Sequence, residues 1–236
     1  ASGGVSVPVP GYHRMCQEVC RKYDILYISD EVVTGFGRLG HWFASKEVFD
    51  IQPDIITCAK GLTSGYLPLG ACIVSDRLID EMDGKEAEGS IFSNGFTYSG
   101  HPVSCMAALK NIEIIEREDI LEHVRKIAPY FQARLQELAD IPIVGNIRGQ
   151  GLMACVECVL KENEDSPLEL DYKMGSRIDK HCQKLGLIVR PIVNMNVMSP
   201  PLIISKDQID ELVNILRKGI LKAMSDLEKV GLWYRN

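Results

Sequence analysis

Short apolar runs that close on charged residues alternate with helix-period stretches through the first half of the chain, and this alternation restricts the fold more than any other feature. Residues 12–23 carry a helical pattern, and ILYIS at 25–29 reads as a strand running into Asp30 and Glu31. After a glycine-rich loop, 43–49 reads as helix, DIITCA at 54–59 as a buried strand and GACIVS at 70–75 as another. This order predicts an α/β fold with a mostly parallel sheet and helices on its faces, where ligands bind beyond the carboxyl ends of the strands. Asp30 and Lys60 both fall at such ends. A long helix is expected from Pro102, since proline suits a first helical turn and SGH before it breaks the pattern.

The second half has a different texture. In 121–138, Leu121, Val124, Ala128, Phe131, Leu135 and Leu138 recur at steps of three and four and define one apolar helix face. Strands are expected at 143–148 and 151–160, a polar loop at KENEDSPLE, a helix over 171–185, a strand at 186–190 and then SPPLIIS. A last helix over 206–228 carries Ile209, Leu212, Val213, Leu216, Ile220 and Leu227 on one side. The chain therefore reads as an α/β part, 1–130, followed by a smaller α+β part, 131–236. Its 236 residues, 46% hydrophobic, suffice for two such cores.

Several function classes lose support on composition and motif context. Twenty-six Lys and Arg stand against 32 Asp and Glu, a net charge of −6, and the cations are scattered, which argues against nucleic acid as a partner. No apolar run approaches the roughly 20 residues of a bilayer span, and residues 1–11 do not resemble a signal peptide, so a cytoplasmic location is expected. The eight cysteines lie in apolar stretches and read as reduced thiols. Cys155 and Cys158 form a C-x-x-C, but it lacks a second ligand pair and no metal is expected there. GFGRLG, with Gly35, Gly37 and Gly40, formally matches a dinucleotide fingerprint. That fingerprint needs its first glycine directly after a strand, and here DEVVT intervenes. Walker A, H-E-x-x-H and G-x-S-x-G motifs are absent from the sequence.

Lys60 and Asp30 carry the chemistry. A lysine closing a buried strand is costly to desolvate as a cation, and burial leaves a neutral amine able to attack a carbonyl. The alternative is a surface lysine at a strand tip. Asp30 and Glu31, taken alone, also suit an ordinary strand-to-loop turn. Together, an aspartate at one strand end and a lysine at the next supply what a pyridoxal cofactor requires, an anion for its ring nitrogen and an amine for its aldehyde.

Four segments in order, DEVVTGFGR, DIITCAKGLTSGYLPLGA, FTYSGHP and SPPL, resemble the class III aminotransferases, and the likeness runs through nearly the whole chain. The resemblance implies the fold type I architecture of pyridoxal-phosphate enzymes: a large domain lacking its N-terminal part, plus a smaller C-terminal domain. It implies that Asp30 pairs with the ring nitrogen of pyridoxal 5'-phosphate and that Val32 packs on the ring face. Lys60 would hold the cofactor as a Schiff base and then carry the substrate's Cα proton. It further implies that Phe96 and Thr97 reach the cofactor phosphate of a neighbouring subunit in a homodimer or dimer of dimers. The bare sequence reads FTYSGHP equally as a helix cap.

Arg190 matches an arginine that binds the substrate carboxylate in relatives acting on pyruvate, with a structural salt bridge as the alternative. Those relatives follow it with Gly-Asp, where this chain has PIVNMNVM. Val33 stands where relatives using ornithine-like or 4-aminobutyrate-like donors with 2-oxoglutarate carry glutamine. The resemblance therefore points to transfer from an ω-amino acid or amine to a keto acid, pyruvate above others. An aminomutase, a decarboxylase or a truncated, non-catalytic interaction module are the alternatives. ASGGVSVPVPGYH resembles a stretch in mid-domain of these enzymes, so the expectation is a C-terminal half whose phosphate cup lies upstream.

Overall fold

The computed structural model describes residues 3–83, 95–159 and 168–231. The chain divides into two compact units, Pro8–Glu122 and Ala1–Val7 with His123–Asn236. The first contains α1 (Tyr12–Lys22), β1 (Ile28–Asp30), α2 (Ala44–Glu47), β2 (Ile55–Cys58), a 3-10 turn (Lys60–Thr63), β3 (Ala71–Val74), α3 (Asp76–Asp83) and α4 (Pro102–Arg117). Its sheet has the order β1-β2-β3. β1 and β2 are parallel, with Asp30 opposite Thr57, and β3 runs antiparallel to β2.

The described sheet is therefore mixed rather than wholly parallel. The connection from β2 to β3 contains only a 3-10 turn and tight turns, without the crossover helix that usually carries a chain back for a parallel return. β1 also begins three residues later than ILYIS suggests. The Ile25 amide donates to Cys20 O (2.8 Å), finishing α1, and the Tyr27 amide donates to Asp54 Oδ2 (2.8 Å). Phe36, Cys58, Leu62 and Ala108 form a small core, flanked by Trp42, Phe43, Leu69 and Ile112. It joins the loop after β1, the end of β2, the 3-10 turn and α4.

The second unit holds α5 (Ile120–Gln136), β4 (Val144–Gln150), β5 (Met153–Cys158), α6 (Leu168–Gln183), β6 (Arg190–Ile192), β7 (Met195–Met198) and α7 (Lys206–Lys229). Its sheet is antiparallel throughout, in the order β4-β5-β7-β6. All six apolar residues expected on one side of the last helix are buried, together with Ala223 and Met224. Ser205 and Gln208 form a capping box at its start, by the reciprocal bonds Gln208 N to Ser205 Oγ (3.2 Å) and Ser205 N to Gln208 Oε1 (3.0 Å).

The strand expected at 186–190 starts only at Arg190, because the segment before it ends α6. Gly186 (φ 90) sits just past the helix, and the amides of Gly186 and Leu187 return to Gln183 O and Cys182 O (3.1 and 3.0 Å), a Schellman motif. SPPLIIS is a turn, and NMNVM supplies β7 instead. Cys155 and Cys158 are fully buried in β5, where burial pushes their thiols up to about 11 and about 12. Three apart on a strand, their side chains leave on opposite faces. Of the polar loop expected at 161–169, residues 161–167 lie outside the described residues, and Leu168 opens α6.

Candidate active site

Asp30, the last residue of β1, and Glu31, just past it, leave on opposite faces, and their surroundings separate their roles. Ser29 and Glu31 share one face, with Ser45 Oγ within 3.1 Å of Ser29 Oγ. Glu31 is 1% exposed. Its carboxylate accepts from the amides of Ala44 and Ser45 (both 2.7 Å) and from the hydroxyls of Ser45 (2.5 Å) and Thr34 (2.9 Å). Every strong acceptor direction of Glu31 is thus consumed in holding the loop 32–43 and the start of α2. Glu31→Gln places amide hydrogens against one backbone N–H and one hydroxyl that now donate to the replaced oxygen, and a loss of about 3 kcal/mol is expected in chemical denaturation. A variant as stable as the parent would remove Glu31 from this structural role.

Asp30 occupies the other face and is exposed. Its Oδ1 accepts from the Val32 amide (3.0 Å), which fixes the side-chain rotamer. Among the described residues Oδ2 accepts no hydrogen bond, so one anionic oxygen remains open beyond the end of β1. Val32, two residues further on, is half-buried.

Lys60 stands just past the end of the neighbouring parallel strand, three residues beyond Thr57, the register partner of Asp30. On ordinary strand spacing and rise, the two Cα atoms are roughly 10 Å apart. Two side chains of these lengths can grip a six-membered ring across such a gap. Lys60 is exposed and, among the described residues, its amine makes no ion pair. Its backbone is left-handed (φ 41), a conformation that costs a non-glycine residue about 1 kcal/mol or more. Gly61 follows because nothing larger fits: a Cβ there would lie 2.9 Å from Phe36 Cβ and 3.3 Å from Gly35 O. This contact locks the lysine turn onto the loop that follows Asp30 and Glu31.

The glycine-rich loop itself is closed on its own amides. Phe36 N donates to Trp42 O (2.7 Å), Gly37 N to His41 O (2.9 Å) and Gly40 N to Gly37 O (2.8 Å). A dinucleotide fingerprint needs such amides free for a pyrophosphate and a long helix behind them, and α2 has four residues.

FTYSGHP precedes α4, with Phe96 86% exposed and Thr97 exposed. His101, the N-cap, makes no side-chain cap hydrogen bond, so the reading of this segment as an ordinary side-chain cap has no support. Arg190, exposed on the edge strand β6 of the second unit, forms no salt bridge among the described residues.

An open carboxylate and an unpaired amine thus stand at adjacent parallel strand ends, and comparison with known proteins shows the family. The sequence profile of the class-III aminotransferases matches residues 1–220. The chain belongs to the class III aminotransferase family. Enzymes of this family depend on pyridoxal phosphate, and the class III chain has their fold type I architecture. It is 45% identical over 218 residues to a putrescine–pyruvate aminotransferase of Pseudomonas aeruginosa, covering 92% of this chain and 46% of that one. It is 42% identical over 227 residues to gamma aminobutyrate transaminase 3, chloroplastic, of Solanum lycopersicum, covering 96% and 43%. Among solved structures, an (S)-enantioselective omega-transaminase from Thermomicrobium roseum is similar at 41% identity and TM-score 0.85, covering 96% of this chain and 49% of that one. An omega-transferase from Vibrio fluvialis JS17 is similar at 39% and 0.86, covering 97% and 54%. The class III chain spans about half the length of the curated relatives it matches.

Sequence reasoning gave Glu31 no role beyond its place in the pair of acids, and it passed over Asn111, which contacts the lysine turn. Neither carries a motif of its own. Their partners are mostly backbone groups distant in sequence.

Proposed function

We propose that this protein is a pyridoxal-phosphate-dependent aminotransferase that moves an amino group from an ω-amino acid or amine to a keto acid, with pyruvate as the acceptor. The reading rests on one observation above all: an open Asp30 carboxylate and an unpaired Lys60 amine at the ends of adjacent parallel strands. Likeness to a putrescine–pyruvate aminotransferase and to omega-transaminases supports the donor and acceptor classes.

When bound, pyridoxal phosphate supplies an electron sink for the pair left when a Cα proton departs. The protein's residues do the rest. Asp30 Oδ2 holds a proton on the ring nitrogen by its negative charge, while the Val32 amide keeps the carboxylate aimed. Val32 offers a β-branched surface to one ring face. Lys60 Nζ would hold the cofactor covalently as a Schiff base, and as a free amine it would take the substrate's Cα proton as general base and return it as general acid. Arg190 offers a guanidinium with no ion pair among the described residues for the carboxylate of the keto acid. We place the cofactor-binding portion in 1–130 and the smaller domain in 131–236.

We also propose a homodimer, or a dimer of dimers, in which Phe96 and Thr97 complete the phosphate site of the adjacent subunit. An aromatic ring left 86% exposed supports this, as does the exposed apolar stripe of Val103, Met106 and Leu109 on α4, the helix that follows this segment. A cytoplasmic location goes with this reading; among the described residues no helix is long and apolar enough to cross a membrane.

Product analysis tests the reaction class. With putrescine or another ω-amine and pyruvate, the holoenzyme is expected to form alanine in step with donor loss. Carbon dioxide or an isomerised amino acid in place of alanine would indicate a decarboxylase or a mutase.

A further inference from the structure

The turn that carries Lys60 is held in an unfavourable shape, and one side chain outside it does much of the holding. Lys60 (φ 41), Ser64 (φ 49) and Gly65 (φ 78) all adopt left-handed backbone within six residues. Only Gly65 does so freely. The turn's own hydrogen bonds are Leu62 N to Ala59 O (3.0 Å), Ser64 N to Gly61 O (3.2 Å) and Gly65 N to Lys60 O (3.2 Å), with Thr63 Oγ1 to Leu67 O (2.6 Å) and Tyr66 N to Thr63 O (3.1 Å) at its exit. Left to these, the turn has no reason to keep two non-glycine residues in that region.

Asn111 of α4 supplies the missing constraint. Its Nδ2 donates to both Gly61 O (2.8 Å) and Leu62 O (3.1 Å), and its Oδ1 accepts from Ser64 Oγ (2.6 Å). Both amide hydrogens and the carbonyl of one half-buried side chain are thereby committed to residues 61, 62 and 64. α4 is sixteen residues long and is anchored on the same core as the turn, through Ala108 and Ile112 against Leu62 and Phe36. It is a rigid element rather than a second loop. Asn111 lies far from FTYSGHP along this helix, and both its amide hydrogens and its carbonyl are engaged with the turn.

We propose that Asn111 is the positioning residue for Lys60: it clamps the carbonyls that follow the lysine, and so fixes where the Lys60 amine enters the active site. The proposal rests on the aminotransferase reading of Lys60. Asn is suited to the task because two donors and one acceptor in one plane match two adjacent carbonyls and a hydroxyl. Aspartate at 111 would keep the Ser64 bond but face two carbonyls with negative charge. Alanine would release all three bonds.

The test uses the holoenzyme, with Asn111→Ala, Asn111→Gln and Ser64→Ala compared with the parent. In Asn111→Ala, kcat is expected to fall about tenfold to a hundredfold, the size of effect a displacement near 1 Å produces. KM for the amine donor should stay within about twofold, because Asn111 touches no substrate. The pH midpoint of the visible band of lysine-bound pyridoxal phosphate should move, and in the cofactor-free protein the Ser64 and Gly65 amides should exchange with solvent faster. Ser64→Ala, losing one bond, should fall between the two, and Asn111→Gln should recover part of kcat. Should Asn111→Ala fail to fold, the two milder variants carry the same readouts.

A folded variant with parent-like kcat, spectral midpoint and amide exchange overturns the clamp. So does lower thermal stability with kcat and midpoint unmoved, since that describes a merely structural residue. A parent protein with no visible band, or one whose band survives Lys60→Ala, defeats the underlying aminotransferase reading instead.

Discussion

Lys60→Ala is expected to lower transamination by at least about 10⁴-fold and to erase the visible band of the pyridoxal-phosphate-loaded protein. The size follows from the two tasks that one amine performs, covalent attachment and proton transfer at Cα, the second alone being worth about 10²–10⁴. Lys60→Arg should be equally inactive, because a guanidinium keeps the charge and cannot act as a nucleophile. Folding should survive both changes. Lys60 is exposed and pairs with no acid among the described residues, and the strain of its left-handed backbone is already present with lysine and is kept, not added, by alanine. Spectral titration with pyridoxal phosphate and turnover of donor plus pyruvate measure the two effects separately. Activity within tenfold of the parent would remove Lys60 from the chemistry.

Asp30→Asn is expected to lower kcat by about 10³-fold while leaving stability within about 0.5 kcal/mol. The amide is the same size and can still accept the Val32 hydrogen bond through Oδ1. What it lacks is the charge that keeps a ring nitrogen protonated. The adjoining carboxylate gives the comparison its force. Glu31→Gln should unfold more readily, since four hydrogen bonds converge on that carboxylate, whereas any loss of kcat in it should track the loss of folded protein. Two neighbouring acids at one strand end thus have opposite signatures, and the cause is the alternation of side chains along extended backbone. If both substitutions changed stability alike, the assignment of faces would be wrong.

Periodicity made α5 and α7 legible because each buries an apolar face. The α7 stripe from Ile209 to Leu227 is buried along its length, and α5 buries Val124, Ala128, Phe131 and Leu135. Strands were less legible, since three or four residues carry too little pattern to set a boundary. GLIVR looked like a strand from its apolar content, yet Gly186 and Leu187 spend their amides on closing α6. NMNVM, with a buried asparagine in its middle, gave no strand pattern but forms β7. At the candidate site, Asp30 and Lys60 could be singled out because a charge at the end of an apolar run is conspicuous. The hydrogen bonds around them could not. Glu31 meets its partners across as many as 14 positions and Asn111 across about 50, and such contacts leave no local trace.

The central claim is that the amine of Lys60 and the carboxylate of Asp30 serve one cofactor ring. Borohydride reduction of the pyridoxal-phosphate-loaded protein converts the cofactor linkage to a stable secondary amine, and proteolysis with mass spectrometry then locates it. The pyridoxyl mass is expected on the peptide containing ITCAKGLTSGYLPLGA, at Lys60 and on no other lysine in stoichiometric amount. Recovery of the label on a different lysine, with Lys60 unmodified, would contradict the account.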